Sequence, residues 1–172
     1  MSLIRPLALN DAPEAARPLL DRLQSAFGMV PNLYGVLAHH PPALAAVLQL
    51  REAIQTELPP KLRELAYLKA SAVNDCQYCL HYHRKMALKA GVAESQVRAI
   101  MEDQAAAGDF SEIESLVVTF ADQLTRTTEV DCEVLASLSR QLTPAQFVVL
   151  TMTVGLANVT NRVNHACHVE LP

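Results

Sequence analysis

The chain has 172 residues, 51% of them hydrophobic, with 14 basic against 18 acidic side chains and a net charge of −4. That length and apolar content suffice for a buried core, and the usual size range points to one domain, 1–172. Lys and Arg are scattered rather than clustered, which gives no footprint for gripping phosphate backbones and argues against nucleic acid as a partner.

The opening stretch MSLIRPLALNDAPEAA lacks the apolar run and cleavage site of a signal peptide and carries acidic residues early, so a cytoplasmic location is expected. Apolar residues then recur at three- and four-residue steps almost throughout, and no alternating segment is long enough for a strand. An all-α chain of eight or nine helices follows. Punctuation falls at Gly28 to Pro31, Pro41–Pro42, Pro59–Pro60, Asn74–Asp75, Gly91, Gly108, Thr127–Thr128 and Thr143–Pro144. Between these marks, helices are expected over 41–57, 60–73, 77–90, 94–107, 111–127 and 144–168. Ser111 with Glu114 forms a capping-box pattern, and Thr143 before Pro144 sets a hydroxyl cap ahead of a residue that needs no donor. The tract AAAG at 105–108 is too short to count as low complexity, and there is no internal repeat.

The last helix carries Phe147, Val148, Val149, Leu150, Met152, Val154, Leu156 and Val159, and is apolar on most sides. Thr151, Thr153, Gly155 and Asn158 interrupt it, and its apolar run is shorter than the ~20 residues that cross a bilayer, so no membrane association is expected. Such a helix needs cover from more than one side, which points to core burial together with a subunit interface in a homo-oligomer.

Four cysteines are too few for a disulfide-stapled scaffold, and only Cys76 and Cys79 sit at a meaningful spacing. Cys132 and Cys167 stand alone among apolar neighbours and read as inert core residues. Asn74 and Asp75 end one helix, and Asp75 is placed to cap the next, which puts Cys76 in its first turn and Cys79 one turn in. Unpaired backbone donors and the positive end of the helix dipole favour a thiolate there. Positions 76, 79, 80, 83, 87 and 90 share one helical face, so His83 neighbours Cys79 and can accept its proton and return it to a leaving group. Glu64, on the preceding helix, reaches the height of His83 across an antiparallel hairpin at about 1.5 Å rise per residue. A relay of Glu64, His83 and Cys79 is the consequence.

Other histidines have plainer readings. His39 and His40 precede Pro41 at a helix end, and His165 and His168 close the last helix, where they compensate the dipole. His81 lies off the cysteine stripe, while Tyr78 and Tyr82 read as packing residues with a hydroxyl at the rim, Tyr78 being placed to line an entrance. The spacing C-x2-C-x3-H also supplies three zinc ligands, with His165, Cys167 and His168 as sources of a fourth, so a zinc-stabilised structural protein stays open beside redox chemistry. A non-catalytic interaction module is a further alternative, which predicts partner binding that survives replacement of both cysteines.

The run ELAYLKASAVNDCQYCLHYH, from Glu64 through Cys76, Tyr78, Cys79 and His83, resembles the alkylhydroperoxidase (AhpD-like) and carboxymuconolactone decarboxylase superfamily. Upstream, FGMVPNLYGVLAHHP at 27–41 resembles the segment before this core in peroxidase-related members, and the likeness covers roughly 25–110. The resemblance implies an AhpD-like helical bundle with the cysteine pair at the N-terminus of a core helix, assembled as trimer or hexamer. It matches Cys76 and Cys79 to the redox pair, Glu64 to the relay carboxylate and His83 to the relay histidine, with no cofactor and no metal. It implies a thiol-dependent peroxidase that reduces hydroperoxides through a sulfenic acid, resolved to a disulfide and reopened by an external dithiol. Tyr78 stands where the best-known branch has a histidine between the cysteines, a departure that also bears on that branch's lipoyl-bearing reductant. The decarboxylase branch lacks the cysteine pair, which sets lactone decarboxylation behind peroxide chemistry.

Overall fold

The computed structural model describes residues 2–103 and 109–172. The expected helical positions 104–107 and the tract AAAG at 105–108 lie outside the described residues. Among those described there are nine α-helices and a one-turn 3-10 segment at Leu9–Asp11, with no strand, as the periodicity implies. The chain divides into two compact units, Met1–Ala53 with Arg162–Pro172, and Ile54–Asn161.

In the first unit, α1 (Arg17–Phe27), α2 (Asn32–Leu37) and α3 (Pro41–Ala53) surround a cluster of Ala12, Ala16, Leu20, Leu23, Ala38, Leu44 and Leu48. Gly28 ends α1 in the left-handed region at φ 77°, its N–H bonded to the Gln24 carbonyl at 2.8 Å, a conformation that costs glycine least. Gly35 serves a different need. The Leu7 N–H donates to its carbonyl at 3.0 Å, and a Cβ there would stand 2.8 Å from the Leu7 oxygen, so a larger residue would push the N-terminal segment off α2.

The second unit is built around α4 (Pro60–Val73), whose residues Leu62 to Ser71 are all buried. Pro60 opens it at a position that needs no donor. α5 (Gln77–Lys89), α6 (Glu94–Met101) and α7 (Glu112–Thr127) pack on it, and α8 (Cys132–Gln141) packs on α7. Leu65, Leu68, Val97, Ile100, Val117, Leu138, Leu150 and Val154 fill the core. Each such side chain contributes roughly 1.5–3 kcal/mol relative to exposure. The last helix, α9 (Pro144–Ala166), begins at the expected cap, where the Gln146 N–H donates to Thr143 Oγ1 at 3.2 Å and the Thr143 N–H to Gln146 Oε1 at 3.0 Å. At α7 the Ser111 N–H donates to Glu114 Oε2 at 3.0 Å, the second half of a capping box.

Four local expectations are corrected. Helix 41–57 stops at Ala53, because the chain turns through Glu57 at φ 63° and the Arg63 side chain takes the carbonyls of Ile54, Gln55 and Leu58 at 3.4–3.5 Å. Asp75 is not the cap of α5: it sits at φ 51°, a conformation Asp tolerates, and Cys76 is the N-cap. His40 works at the start of α3 rather than only behind α2, since its Nδ1 accepts the Ala43 N–H at 3.3 Å. Cys132 is exposed, being the first residue of α8 between Asp131 and Glu133.

Candidate active site around the cysteine turn

The turn between α4 and α5 is held by backbone first. The Asn74 N–H bonds to the Ala70 carbonyl at 3.1 Å, the left-handed Asp75 reverses the chain, and the Cys76 N–H returns to the Ser71 carbonyl at 2.9 Å. That geometry leaves Cys76 at the head of α5 with its sulfur accepting the Cys79 N–H at 3.4 Å. A backbone donor and the helix dipole thus both act on the Cys76 sulfur, and both stabilise negative charge there. Cys79 lies one turn in, and both cysteines are buried, with 1% and 4% of their surface exposed.

One turn beyond Cys79, His83 meets Glu64 across the hairpin: Nδ1 and Oε2 are 2.8 Å apart. With the carboxylate ionised, Nδ1 must donate, which leaves Nε2 as the nitrogen that can exchange a proton. Glu64 is buried and His83 half-buried, so the pair works at reduced dielectric, where its attraction is stronger than in water. Glu64 and His83, placed at one height by rise per residue alone, are in direct hydrogen-bond contact. Cys79 and His83 share the α5 face at i and i+4, a spacing that brings side chains within about 5–6 Å at Cβ.

Tyr67 was not singled out by the sequence, yet its ring lies parallel to the His83 imidazole at 3.5 Å between centroids and 11° between planes. A second missed group is polar. Asn74 Nδ2 donates to Asn158 Oδ1 at 3.0 Å and Asn161 Oδ1 at 2.8 Å, and Asn161 Nδ2 donates to Ser71 Oγ at 3.2 Å. These side chains fasten the start of the cysteine turn to α9, which therefore carries a buried polar seam of Thr153, Thr160 and Asn161 inside an otherwise apolar helix. The signal in the sequence is the recurrence of Thr and Asn at helical spacing through 153–164. The opposite, exposed side of α9 carries Val148, Met152 and Val159.

Tyr78 is buried and tilted against Tyr82 at 5.1 Å, and His81 Nε2 lies 3.1 Å from the Lys85 ammonium on the exposed side of α5. Among the described residues, no three of His, Cys, Asp and Glu are gathered closely enough to hold a metal ion, so the zinc reading finds no ligand set there. Nor, among them, is any helix long and apolar enough to cross a membrane.

Comparisons with known proteins match part or nearly all of the chain. The model of the carboxymuconolactone decarboxylase family matches residues 41–122, a span that contains Glu64, both cysteines of the turn and His83. No curated protein sequence matches the chain. Among solved structures, an AhpD-core, peroxidase-related protein from Ralstonia eutropha JMP134 superposes with a TM-score of 0.87 at 19% identity, over 99% of this chain and 92% of that one. The debrominase Bmp8, solved with 2,3,4-tribromopyrrole, gives 0.83 at 22% identity over 100% of this chain and 92% of its own. A protein from Agrobacterium tumefaciens, described as a putative antioxidant defence protein AhpD, gives 0.72 at 22% identity over 79% and 94%. At these identities the likeness establishes the AhpD-like fold.

Proposed function

We propose that the chain is a thiol-dependent peroxidase of the carboxymuconolactone decarboxylase family, whose model matches residues 41–122, because it carries a cysteine pair at a helix N-terminus. The observation that carries this reading is the Glu64–His83 hydrogen bond, which falls one helical turn beyond Cys79 on the same helix. Cys79 passes its proton to His83 Nε2 and attacks the terminal oxygen of a hydroperoxide. The S–O bond forms, the O–O bond breaks, and the leaving alkoxide takes the proton from His83 as an alcohol. Cys76 then attacks the Cys79 sulfenic acid, forming the S–S bond and releasing water. An external dithiol in the cytoplasm reopens the disulfide by exchange. Burial of both cysteines favours this internal resolution over attack by bulk thiols.

The Cys76 sulfur accepts a backbone N–H, whereas Cys79 shares the helical face of His83 at i and i+4, so the two roles need separate tests. Turnover of an organic hydroperoxide with dithiothreitol is expected for the native protein, with a loss of at least about 1,000-fold in Cys79→Ser. If Cys79→Ser still consumes one equivalent while Cys76→Ser consumes none, the attacking and resolving roles are exchanged. Turnover of 2,3,4-tribromopyrrole but of no hydroperoxide would assign the dithiol to reductive debromination instead. Activity on another substrate that survives alkylation of both thiols would assign a decarboxylase-like reaction.

The proposal includes assembly as a homo-oligomer, trimer or hexamer, through the exposed Val148, Met152 and Val159 face of α9. Light scattering at micromolar concentration checks it, and a monomer contradicts it.

A further inference from the structure

Glu64 and Tyr67 stand at i and i+3 on α4 and therefore face the same way. Both reach one imidazole. Glu64 takes the edge of His83 through the 2.8 Å bond to Nδ1, and Tyr67 covers its face with a parallel ring at 3.5 Å. An in-plane hydrogen bond alone leaves the ring able to rock about the N–H···O axis, whereas a flat wall removes that motion. The wall is itself fixed: the Tyr67 hydroxyl lies 2.5 Å from Thr160 Oγ1 on α9. Thr160 also places its oxygen 3.1 Å from the Leu156 carbonyl and 3.0 Å from that of Ala157. Its single hydrogen is used there, so the phenol donates and Thr160 accepts.

We infer that Tyr67 is a positioning residue for proton transfer at the cysteine pair, holding the His83 imidazole so that Nε2 stays aimed along the α5 stripe toward the thiol one turn away. Aromatic faces hold neighbouring rings by offset or parallel contact, and misplacement of a proton-transfer group by a fraction of the reacting distance lowers rate steeply. The hydroxyl is secondary to the ring, because the ring is buried and so is held by the packing around it as well as by that bond. This rests on the peroxidase reading for its catalytic consequence, but its physical claim concerns the thiol pair and His83 alone.

The test uses the full-length reduced protein and two readouts. The first is the pH profile of alkylation of the Cys76–Cys79 pair by iodoacetamide, which needs no peroxide chemistry. Tyr67→Leu, which removes the flat face, is expected to move the midpoint upward by about half a pH unit or more, in the direction of His83→Gln. Tyr67→Phe, which keeps the face and loses only the hydroxyl, is expected to restore a near-native profile. Tyr67→Met fills the volume without a face and replaces the leucine variant if that one does not fold. The second readout is hydroperoxide turnover, in which Tyr67→Leu lowers kcat by about tenfold with KM little changed. A shifted alkylation profile without native hydroperoxide turnover would retain the positioning role and discard the peroxidase reading. A native profile in folded Tyr67→Leu or Tyr67→Met, or in His83→Gln, would overturn the positioning role.

Discussion

Two of the charges that α4 buries, five residues apart, have opposite surroundings. Lys69 is 4% exposed and is met by Asp103 at 2.6 Å and Asp122 at 3.0 Å, and Arg126 in turn pairs with both carboxylates. The Lys69 ammonium, first through its hydrogen bond and then through its charge, holds the Asp103 carboxyl below the usual range, with Arg126 adding to it. Every partner in that group is a fixed charge near neutral pH. Glu64 instead faces the His83 imidazole, which keeps a second ring nitrogen free of that contact and sits one helical turn beyond a thiol. A buried charge saturated by permanent ions stabilises one structure, while a buried charge facing a titratable ring can share a proton. The same helix therefore carries a structural ion cluster and a site suited to chemistry.

The largest expected effect separates the two regions directly. Glu64→Gln is expected to lower kcat for hydroperoxide by about 100-fold, because the amide no longer compels Nδ1 to donate, while unfolding free energy changes by only about 1 kcal/mol. Steady-state kinetics beside chemical denaturation would show it, and equal losses in activity and stability would make Glu64 a structural charge like Lys69. The converse change, Lys69→Met, leaves two carboxylates without their ammonium and is expected to cost about 2–3 kcal/mol of stability, with kcat per folded molecule unchanged. The partial exposure of Asp103 and Asp122 places this near the lower end for buried pairs.

Acid titration resolves a smaller effect. Burial raises the Glu114 carboxyl, but the Lys61 ammonium at 2.6 Å, the Ser111 N–H and the Gln96 amide outweigh it and hold it below its ordinary value. A carboxyl depressed in the folded state adds stability that is present above its unfolded pKa of about 4.3 and lost as pH falls through the lower folded value. Glu114→Gln is therefore expected to flatten the acid limb of stability between neutral pH and about pH 3. A mutant curve parallel to the native one across that interval would contradict the sign.

The helical class and most helix bounds were legible because apolar spacing and proline or glycine punctuation are local. The Glu64–His83 contact was legible too, since two helices joined by a short turn form a hairpin whose heights follow from residue counts. Asp75 misled for a local reason: Asp caps helices and also accepts the left-handed conformation, and here the turn uses the second property. Tyr67 lies at the height of His83 in the same hairpin and was missed because an aromatic ring on an apolar helix face reads as packing, while the seam of Asn74, Asn158 and Asn161 joins residues 84 and 87 apart that nothing local pairs. Their side chains read as ordinary helix residues until α9 is laid beside α4.

The central claim is that Cys76 and Cys79 form a redox pair, and thiol titration of the reduced protein before and after one equivalent of an organic hydroperoxide tests it most directly. Loss of two thiols, with mass spectrometry showing a disulfide within the 76–79 peptide, is the predicted result. Survival of both thiols after the peroxide is added would contradict it.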